Sequence, residues 1–532
     1  MKTLVNRILA LAAVALAGST SVLAQTSVSD TRWGDLGDGT FANPVLNADY
    51  SDPDVIRVGD KYYMTCSEFH YMGMPVLESD DMVNWTIIAQ IYDHIDLDIF
   101  RDMRGYGDGT WAPAIRYHNG RFYIFVCMPG TGLYMTSAEH PEGPWEPLYH
   151  VVDVAGWEDP CPLWDDKGNA WLGHSKKGAG PIIIHRMSED GRQLLDEGRV
   201  VYEGPVAEGT KFLMRDGYYY LSIPEGGVGT GWQMVLRSKD IYGPYEGRRV
   251  LEQGTTNVNG PHQGALVDTP DGEWWFYHFQ ETHPLGRVVH LQPVTWGSDG
   301  FPVIGTDYDS NGVGEPMKIV RKPDISVKVK PHHPQTDDDF SGSRLGLQWQ
   351  INHNPQPGCI STTLRKGRLA IKATPANSLY DAHNQVTQKT MGYEGCATVR
   401  LFLGDMRDGQ RAGIACLGRT MAGVGVQLSE KDGKRSPFIY LEQNGVNTTL
   451  LPLPSRTKSV WLRLDIDAAR NVQQLSYSTD GRHFTPAGPQ FPERSASWKG
   501  ARISLYSYTT ATEPLGIAFF DDFTYDTDFL SE

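Results

Sequence analysis

Five segments within the first 280 residues begin alike and end alike. DPDVIRVGDKYYM starts at Asp52, WAPAIRYHNGRFYIF at Trp111 and DPCPLWDDKGNAWLGH at Asp159. EGTKFLMRDGYYYLSI starts at Glu208 and HQGALVDTPDGEWWFYHF at His262. Each has a polar or aromatic head, a short apolar strand, a turn containing glycine, and a strand of alternating aromatics. The heads lie 59, 48, 49 and 54 residues apart. A period near 50 residues with about four strands per unit is the mark of a β-propeller, and five units predict five blades. The second halves repeat as well: GLYMTSAEHPEGPWEPLYHV and WQMVLRSKDIYGPYEGRRVL share an edge-like strand, a serine and a Gly-Pro-aromatic corner. Fourteen Trp, 25 Tyr, 57 Gly and 33 Pro suit an all-β chain with frequent turns. Two consecutive β-sandwiches are the alternative, but a sandwich gives no reason for five similarly headed units.

In a propeller the first strand of each blade lines the central channel. Residues at the same repeat position then sit at about the same height around one axis. Asp52, Trp111, Asp159, Glu208 and His262 are therefore expected to converge at one end of the channel. Hydrolysis of a glycosidic bond takes two carboxyl groups, one donating a proton to the leaving oxygen and one activating water or attacking directly. A third carboxylate helps to hold the acid protonated near neutral pH, because like charges raise one another's pKa. Asp52, Asp159 and Glu208 can form such a set, and Trp111 offers a flat face for a sugar ring.

NPVLNADYSDPDVIRVGDKYY, GTWAPAIRYHNGRFYIF, WEDPCPLWDDKGNAWL, EGTKFLMRDGYYYL, NGPHQGALVDTPDGEWWFYHFQ and GRVVHLQPVTW follow one another over residues 40 to 305. In this order and spacing they resemble glycoside hydrolase family 43, the β-xylosidase and α-L-arabinofuranosidase type. The resemblance implies a five-bladed propeller and an inverting mechanism. It makes Asp52 the general base, Glu208 the general acid and Asp159 the group that orients the acid and raises its pKa. It makes Arg287 a sugar contact, Phe69 a pocket aromatic and Glu225 a pocket-edge residue. His262 matches a channel histidine associated with a metal ion, typically calcium, through water, since calcium prefers oxygen ligands. Plainer readings stand beside these: Asp49 and Asp54 read as turn formers, Trp111 as core, His262 as a hydrogen-bonding channel residue, Arg287 as a salt-bridge partner. The insertion HIDLDIFRDMRGYGDGT, residues 94 to 110, makes the first inter-head spacing the longest and is placed to wall one side of the channel mouth.

The expected layout is a signal peptide at 1–24, a propeller at 25–320, a linker at 321–336 and a β-sandwich at 337–532. Lys2 and Arg7 precede the apolar run Ile8 to Ala17, with Val22-Leu23-Ala24 as the cleavage site. This predicts a periplasmic or secreted protein. IVRKPDISVKVKPHHP is Lys- and Pro-rich, as a linker is. DDDFSGSRLGLQWQINHNP opens the last third and AFFDDFTYDTDF closes it, which pairs first and last strands in one sheet. The phrase LGLQWQINHNP resembles the concanavalin-like jelly-roll domain of the β-xylosidase branch. Asp339 and Asp522 could hold a second structural calcium; two solvated strand-end carboxylates are the simpler reading.

The formal charge is −16, and −18 without Lys2 and Arg7. Such acidity argues against nucleic acid and anionic membrane as partners, and not against neutral sugars. No run is apolar and long enough to span a membrane as a helix. The six cysteines show no metal spacing; Cys66 and Cys127, each after an aromatic strand, read as buried free thiols, with a disulfide between them as the alternative. The reading is an inverting exo-glycosidase that releases D-xylose or L-arabinose from plant-wall oligosaccharides or polysaccharides and needs no catalytic cofactor. A non-catalytic sugar-binding propeller and a retaining invertase-type propeller are the alternatives. Linkage and oligomeric state are not legible.

Overall fold

A computed structural model describes residues 30–493 and 498–530. The expected signal peptide lies outside the described residues. Five four-stranded antiparallel sheets follow one another in chain order. Blade I is Asp54–Val58, Lys61–Thr65, Pro75–Ser79 and Thr86–Gln90. Blade II is Trp111–His118, Arg121–Met128, Gly132–Ala138 and Tyr149–Val152. Blade III is Trp157–Trp164, Ala170–Lys176, Ile182–Arg186 and Arg199–Tyr202. Blade IV is Lys211–Arg215, Tyr218–Glu225, Trp232–Ser238 and Glu246–Leu251. Blade V is Leu266–Asp268, Trp274–Thr282, Gly286–Trp296 and Pro302–Ile304. The second strands carry the alternating aromatics of the repeat, and Tyr62, Phe125, Leu172, Tyr220 and Phe276 are buried between blades. That burial is the main force holding neighbouring sheets face to face.

The ring is closed by chain segments flanking the repeats. Gly34–Asp35 and Thr40–Ala42 form a small sheet with Ile319–Arg321, so the two ends of the propeller pair with each other. Leu46 bridges Val289 of blade V, and the Tyr50 N–H donates to the Arg287 carbonyl at 3.1 Å. Arg57 of blade I and Asp268 of blade V form an ion pair at 2.9 Å. Asp49 and Asp54, read from the sequence as turn formers, reach further than a turn. Asp49 accepts from the Arg287 N–H at 3.1 Å, while Asp54, wholly buried, accepts from Ile115 N at 2.8 Å and Arg116 Nη1 at 2.6 Å in blade II.

The C-terminal part is a β-sandwich. One layer runs Val446–Pro452, Lys434–Gln443, Met421–Lys431, Gln410–Leu417, Arg502–Thr509 and Val386–Lys389. The other runs Leu369–Pro375, Leu515–Thr527, Glu394–Phe402, Ser459–Asp467 and Val472–Ser478. Ile414, Val424, Leu505, Val399, Leu462 and Phe520 fill the space between them. Asp338 bridges Phe523, and Tyr525 N donates to Asp337 Oδ1 at 2.7 Å, so the first and last segments do pair.

The two parts share backbone as well as side-chain contacts. Gln350–Asn352 of the sandwich pairs with Tyr71–Met72 of blade I. Glu68, with no exposed surface, accepts from Lys389 Nζ at 2.6 Å and Arg502 Nη2 at 2.7 Å, both from the sandwich. The linker is tied down too: His332 N donates to Asn84 Oδ1 at 2.7 Å and Lys322 Nζ to Asp35 and Asp81 at 2.6 Å. All six cysteines are free and all but Cys396 are buried.

Candidate active site

At the head of each blade the chain makes one turn through left-handed backbone. Asp52, Ala112, Asp159 and Gln263 have φ of 54°, 39°, 56° and 53°, and blade IV places Gly209 there with φ 61°. A non-glycine residue in this region costs free energy, and four of them at one repeat position mark a shape the fold imposes for a purpose. Gly209 is the exception that close packing requires, since a Cβ there would lie 2.5 Å from Pro224. This geometry also corrects the register read from the sequence. The residues preceding the left-handed position are Ser51, Trp111, Glu158, Glu208 and His262. Asp52 and Asp159 thus stand one residue further along than Trp111, Glu208 and His262, and blades II and III bring both residues of the head to the cavity where the other blades bring one.

The heads border a cavity of about 290 Å³ lined by Asp52, Phe69, Trp111, Asp159, Glu208 and Arg287, together with Glu158, Lys177, Gln263 and Trp498. Six of the seven residues expected from the sequence meet there. The seventh, His262, is fully buried and does not reach the cavity wall. Its Nδ1–H donates to the Gly260 carbonyl at 2.5 Å, and its Nε2 has no hydrogen-bond partner. Burial, opposed by that hydrogen bond, pushes its pKa down to about 4, so the ring is neutral. A single imidazole nitrogen is a poor direct ligand for calcium but a sound acceptor for a water on such an ion. Asp339 and Asp522 do not fit a calcium site. Both are exposed, Asp339 accepts from Ser341 N at 2.9 Å, and Asp522 faces Arg400 at 3.8 Å.

Asp52 is set as an acceptor. Arg287 Nη1 donates to its Oδ1 at 2.6 Å, while the hydroxyls of Ser67 and Ser51 donate to its Oδ2 at 2.6 and 2.9 Å. The Ser67 hydroxyl in turn accepts from Ala112 N at 2.6 Å, which locks the base to blade II. Arg287 lies over the Phe279 ring, 4.5 Å from its centroid.

Asp159 Oδ2 accepts from Gly209 N at 2.7 Å and from the Ser175 hydroxyl at 3.1 Å, and the Gln263 amide lies 3.4 Å from Oδ1. Through Gly209 it grips the residue next to Glu208. Burial and the Asp52 charge nevertheless raise its pKa. Glu208 is pushed up to about 8, by burial first and then by the charges of Asp159 and Glu158, with Arg287 opposing. Acidic oxygens of Glu158, Asp159 and Glu208 lie within 4.8 Å of one another. The arrangement can keep one carboxyl group protonated at neutral pH while another accepts a proton, which is what acid-base hydrolysis needs.

The walls are aromatic. Trp111 meets Phe69 at 6.2 Å and Trp498 at 5.1 Å between ring centroids, both edge to face, and Lys177 Nζ lies 5.1 Å from the Trp111 ring. The insertion at 94–110, expected to wall the channel mouth, lines none of this cavity; it backs the wall instead, with Trp111 Nε1 donating to the Gly107 carbonyl at 2.8 Å. Gly109 passes so close to the Phe69 carbonyl that any Cβ would collide with it. Glu225 lies outside the cavity and accepts from Tyr202 OH at 2.7 Å and Trp232 Nε1 at 3.2 Å. Four of the cavity residues named above, Glu158, Lys177, Gln263 and Trp498, are not singled out by the sequence; Gln263 directly follows His262. Glu158 is masked by its neighbour Asp159, which matches the head of the repeat, and the pair Glu158-Asp159 beside Glu208-Gly209 is the signal that points to it. Lys177 sits in a hairpin of blade III, and Trp498 comes from the sandwich with nothing in the local sequence to point at the channel.

Residues 41–302 match the family model for glycosyl hydrolases family 43, and residues 337–526 match that of the β-xylosidase C-terminal concanavalin A-like domain. A putative β-xylosidase of Xylanibacter ruminicola is 53% identical over 475 residues, 89% of this chain and 88% of that one. A β-xylosidase of Formosa agariphila is 36% identical over 93% of this chain and 92% of its own length. The crystal structure of a xylan β-1,4-xylosidase from Bacillus halodurans superposes with a TM-score of 0.78 at 25% identity, covering 91% of this chain and 99% of that one.

Proposed function

The chain belongs to glycosyl hydrolases family 43, and from that premise we propose an inverting, exo-acting β-xylosidase or α-L-arabinofuranosidase of plant-wall oligosaccharides. Asp52 is the general base, Glu208 the general acid, and Asp159 the residue that orients Glu208 and maintains its proton. The observation that carries this reading is the contrast between two carboxyl groups in one cavity: Asp52 receives Arg287 and two hydroxyls, while Glu208 is pushed up to about 8 by burial and by neighbouring carboxylates.

The terminal sugar lies against Trp111 and Phe69 with its anomeric carbon between the two groups. Asp52 takes a proton from water as the water oxygen attacks that carbon. Glu208 gives its proton to the leaving oxygen as the glycosidic bond breaks. The product carries the opposite anomeric configuration, and a separation of about 6.5–9.5 Å between the two carboxyls leaves room for the water. Arg287 holds Asp52 and is placed to contact the sugar. The wall that Trp498 adds beside Trp111 favours a substrate end over a chain interior. Two carboxyl groups suffice for this chemistry without a cofactor. A calcium ion whose water shell meets His262 Nε2 in the channel belongs to the same proposal, as does export directed by residues 1–24.

Proton NMR of the first-formed sugar tests the mechanism on aryl β-D-xyloside and aryl α-L-arabinofuranoside. Inversion is expected with at least one, and a retained anomer refutes the roles. Asp52→Asn and Glu208→Gln are expected to abolish turnover of xylo-oligosaccharides with folding intact by circular dichroism. The mass of the mature secreted chain tests cleavage after Ala24.

A further inference from the structure

The reaction just described uses three carboxyl groups, and the cavity holds a fourth. Glu158 precedes the left-handed Asp159 in blade III as Glu208 precedes the left-handed Gly209 in blade IV. The two glutamates therefore occupy one repeat position in neighbouring blades, and both line the cavity. Glu158 is only 5% exposed. One long hydrogen bond holds it, from Ala179 N to Oε1 at 3.3 Å, and its side chain lines the cavity. Asp52 and Asp159 each receive several strong donors; Glu158 receives none.

A buried carboxyl group so weakly held is costly unless something completes its shell. The groups facing it are Asp159 and Asp52, which raise its pKa, Glu208, which has an acidic oxygen within 4.8 Å, and the exposed Lys177, which lowers its pKa. Burial outweighs them all and pushes it up to about 8. When it carries a proton, such a carboxyl group both donates and accepts, as the hydroxyl of a sugar does. Glu158, Trp111 and Lys177 line the same cavity, with Lys177 Nζ 5.1 Å from the centre of the Trp111 ring, so a sugar seated on Trp111 is within the space that Glu158 borders.

We propose that Glu158 is a specificity-determining residue whose free carboxyl oxygen hydrogen-bonds one hydroxyl of the sugar seated on Trp111. This rests on the glycosidase reading of the cavity. It assigns Glu158 a contact with substrate, separate from proton transfer at Glu208.

The test pairs enzyme variants with substrates that lack single hydroxyls. Glu158→Leu removes the polar head, and Glu158→Gln keeps a group that donates and accepts. Against the parent aryl pentoside, Glu158→Leu should lose about 10- to 100-fold in kcat/KM, chiefly through KM. Against one monodeoxy analogue the same variant should lose almost nothing, because the partner hydroxyl is already gone. Glu158→Gln should recover most of the loss. An equal loss on every analogue, or no loss on any, overturns the proposal. So does a variant that moves only the alkaline limb of the pH profile, since that assigns Glu158 to Glu208 alone. Melting curves check that the variants fold, and Glu158→Gln serves should the leucine variant not. Calorimetric titration with D-xylose and L-arabinose reads the same contact without turnover. A wild type that cleaves no pentoside sinks the proposed function, while weaker sugar binding by Glu158→Leu would still support this contact and unchanged binding would overturn it.

Discussion

Replacing Asp159 by Asn tests whether Glu208 owes its proton to its neighbour's charge. The two carboxyl groups have acidic oxygens within 4.8 Å of each other. Two unit charges at that distance repel by about 3.5 kcal/mol at an effective dielectric constant of about 20, which corresponds to about 2.5 pH units. Glu208 acts in its protonated form, so activity is present below its pKa and is lost as pH rises through it. In the wild type that loss should centre near pH 8, where burial, Asp159 and Glu158 together place it against the pull of Arg287. The variant retains burial, Glu158 and Asp52, so its limb should move toward acid by about 1–2 pH units rather than the full amount. The amide oxygen can still accept from Gly209 N and the Ser175 hydroxyl, so the loop before Lys211 should hold its place. The assay is kcat/KM against pH with xylobiose, whose poor leaving group needs the acid, and with an activated aryl xyloside, which needs it less. Xylobiose hydrolysis should fall further than aryl hydrolysis. An alkaline limb that stays in place while activity falls on both substrates alike would refute the electrostatic argument and leave Asp159 a purely geometric role.

Two further expectations follow from the contacts around the site. Glu68→Ala leaves Lys389 and Arg502 buried without their shared carboxylate, which should cost about 3–5 kcal/mol and also slacken Ser67 and Phe69 in the pocket; chemical denaturation and KM measure the two effects, and an unchanged midpoint would sink the claim. Burial opposes ionisation of Glu68, but the two cations outweigh it and hold its pKa below the ordinary value, so its stabilisation is present above the unfolded pKa and fades as pH falls through the folded one. Chelation by EGTA should lower kcat or the melting temperature if calcium water contacts His262, and re-added calcium should restore it; indifference to EGTA removes calcium from the scheme.

The repeat was legible because every blade must make the same strand, turn and strand to bury its aromatics against the next. Asp52, Asp159 and Glu208 could be read from it, since a ring brings repeat positions to one axis whatever the distance along the chain. The register within each head could not. DPD and DPC look like equals of EGT and HQG, yet the left-handed turn falls on Asp52 and Asp159 in two blades and one residue after Glu208 and His262 in the others. Only backbone conformation separates those cases, and it is why Glu158 went unread and His262 was expected in the cavity.

Periodicity, aromatic strands and the order of the carboxyl-bearing heads were local properties, so the chain determined by itself that five like units close into a ring with acids at one end. The tertiary structure decided what surrounds those acids. Trp498 reaches the pocket from the sandwich, and Lys389 and Arg502, 321 and 434 residues along the chain from Glu68, grip it. The physical reason is that packing two folded parts against each other joins surfaces with no shared periodicity. The pKa of Glu208, set by burial and by charges from other blades, exists only once they are joined.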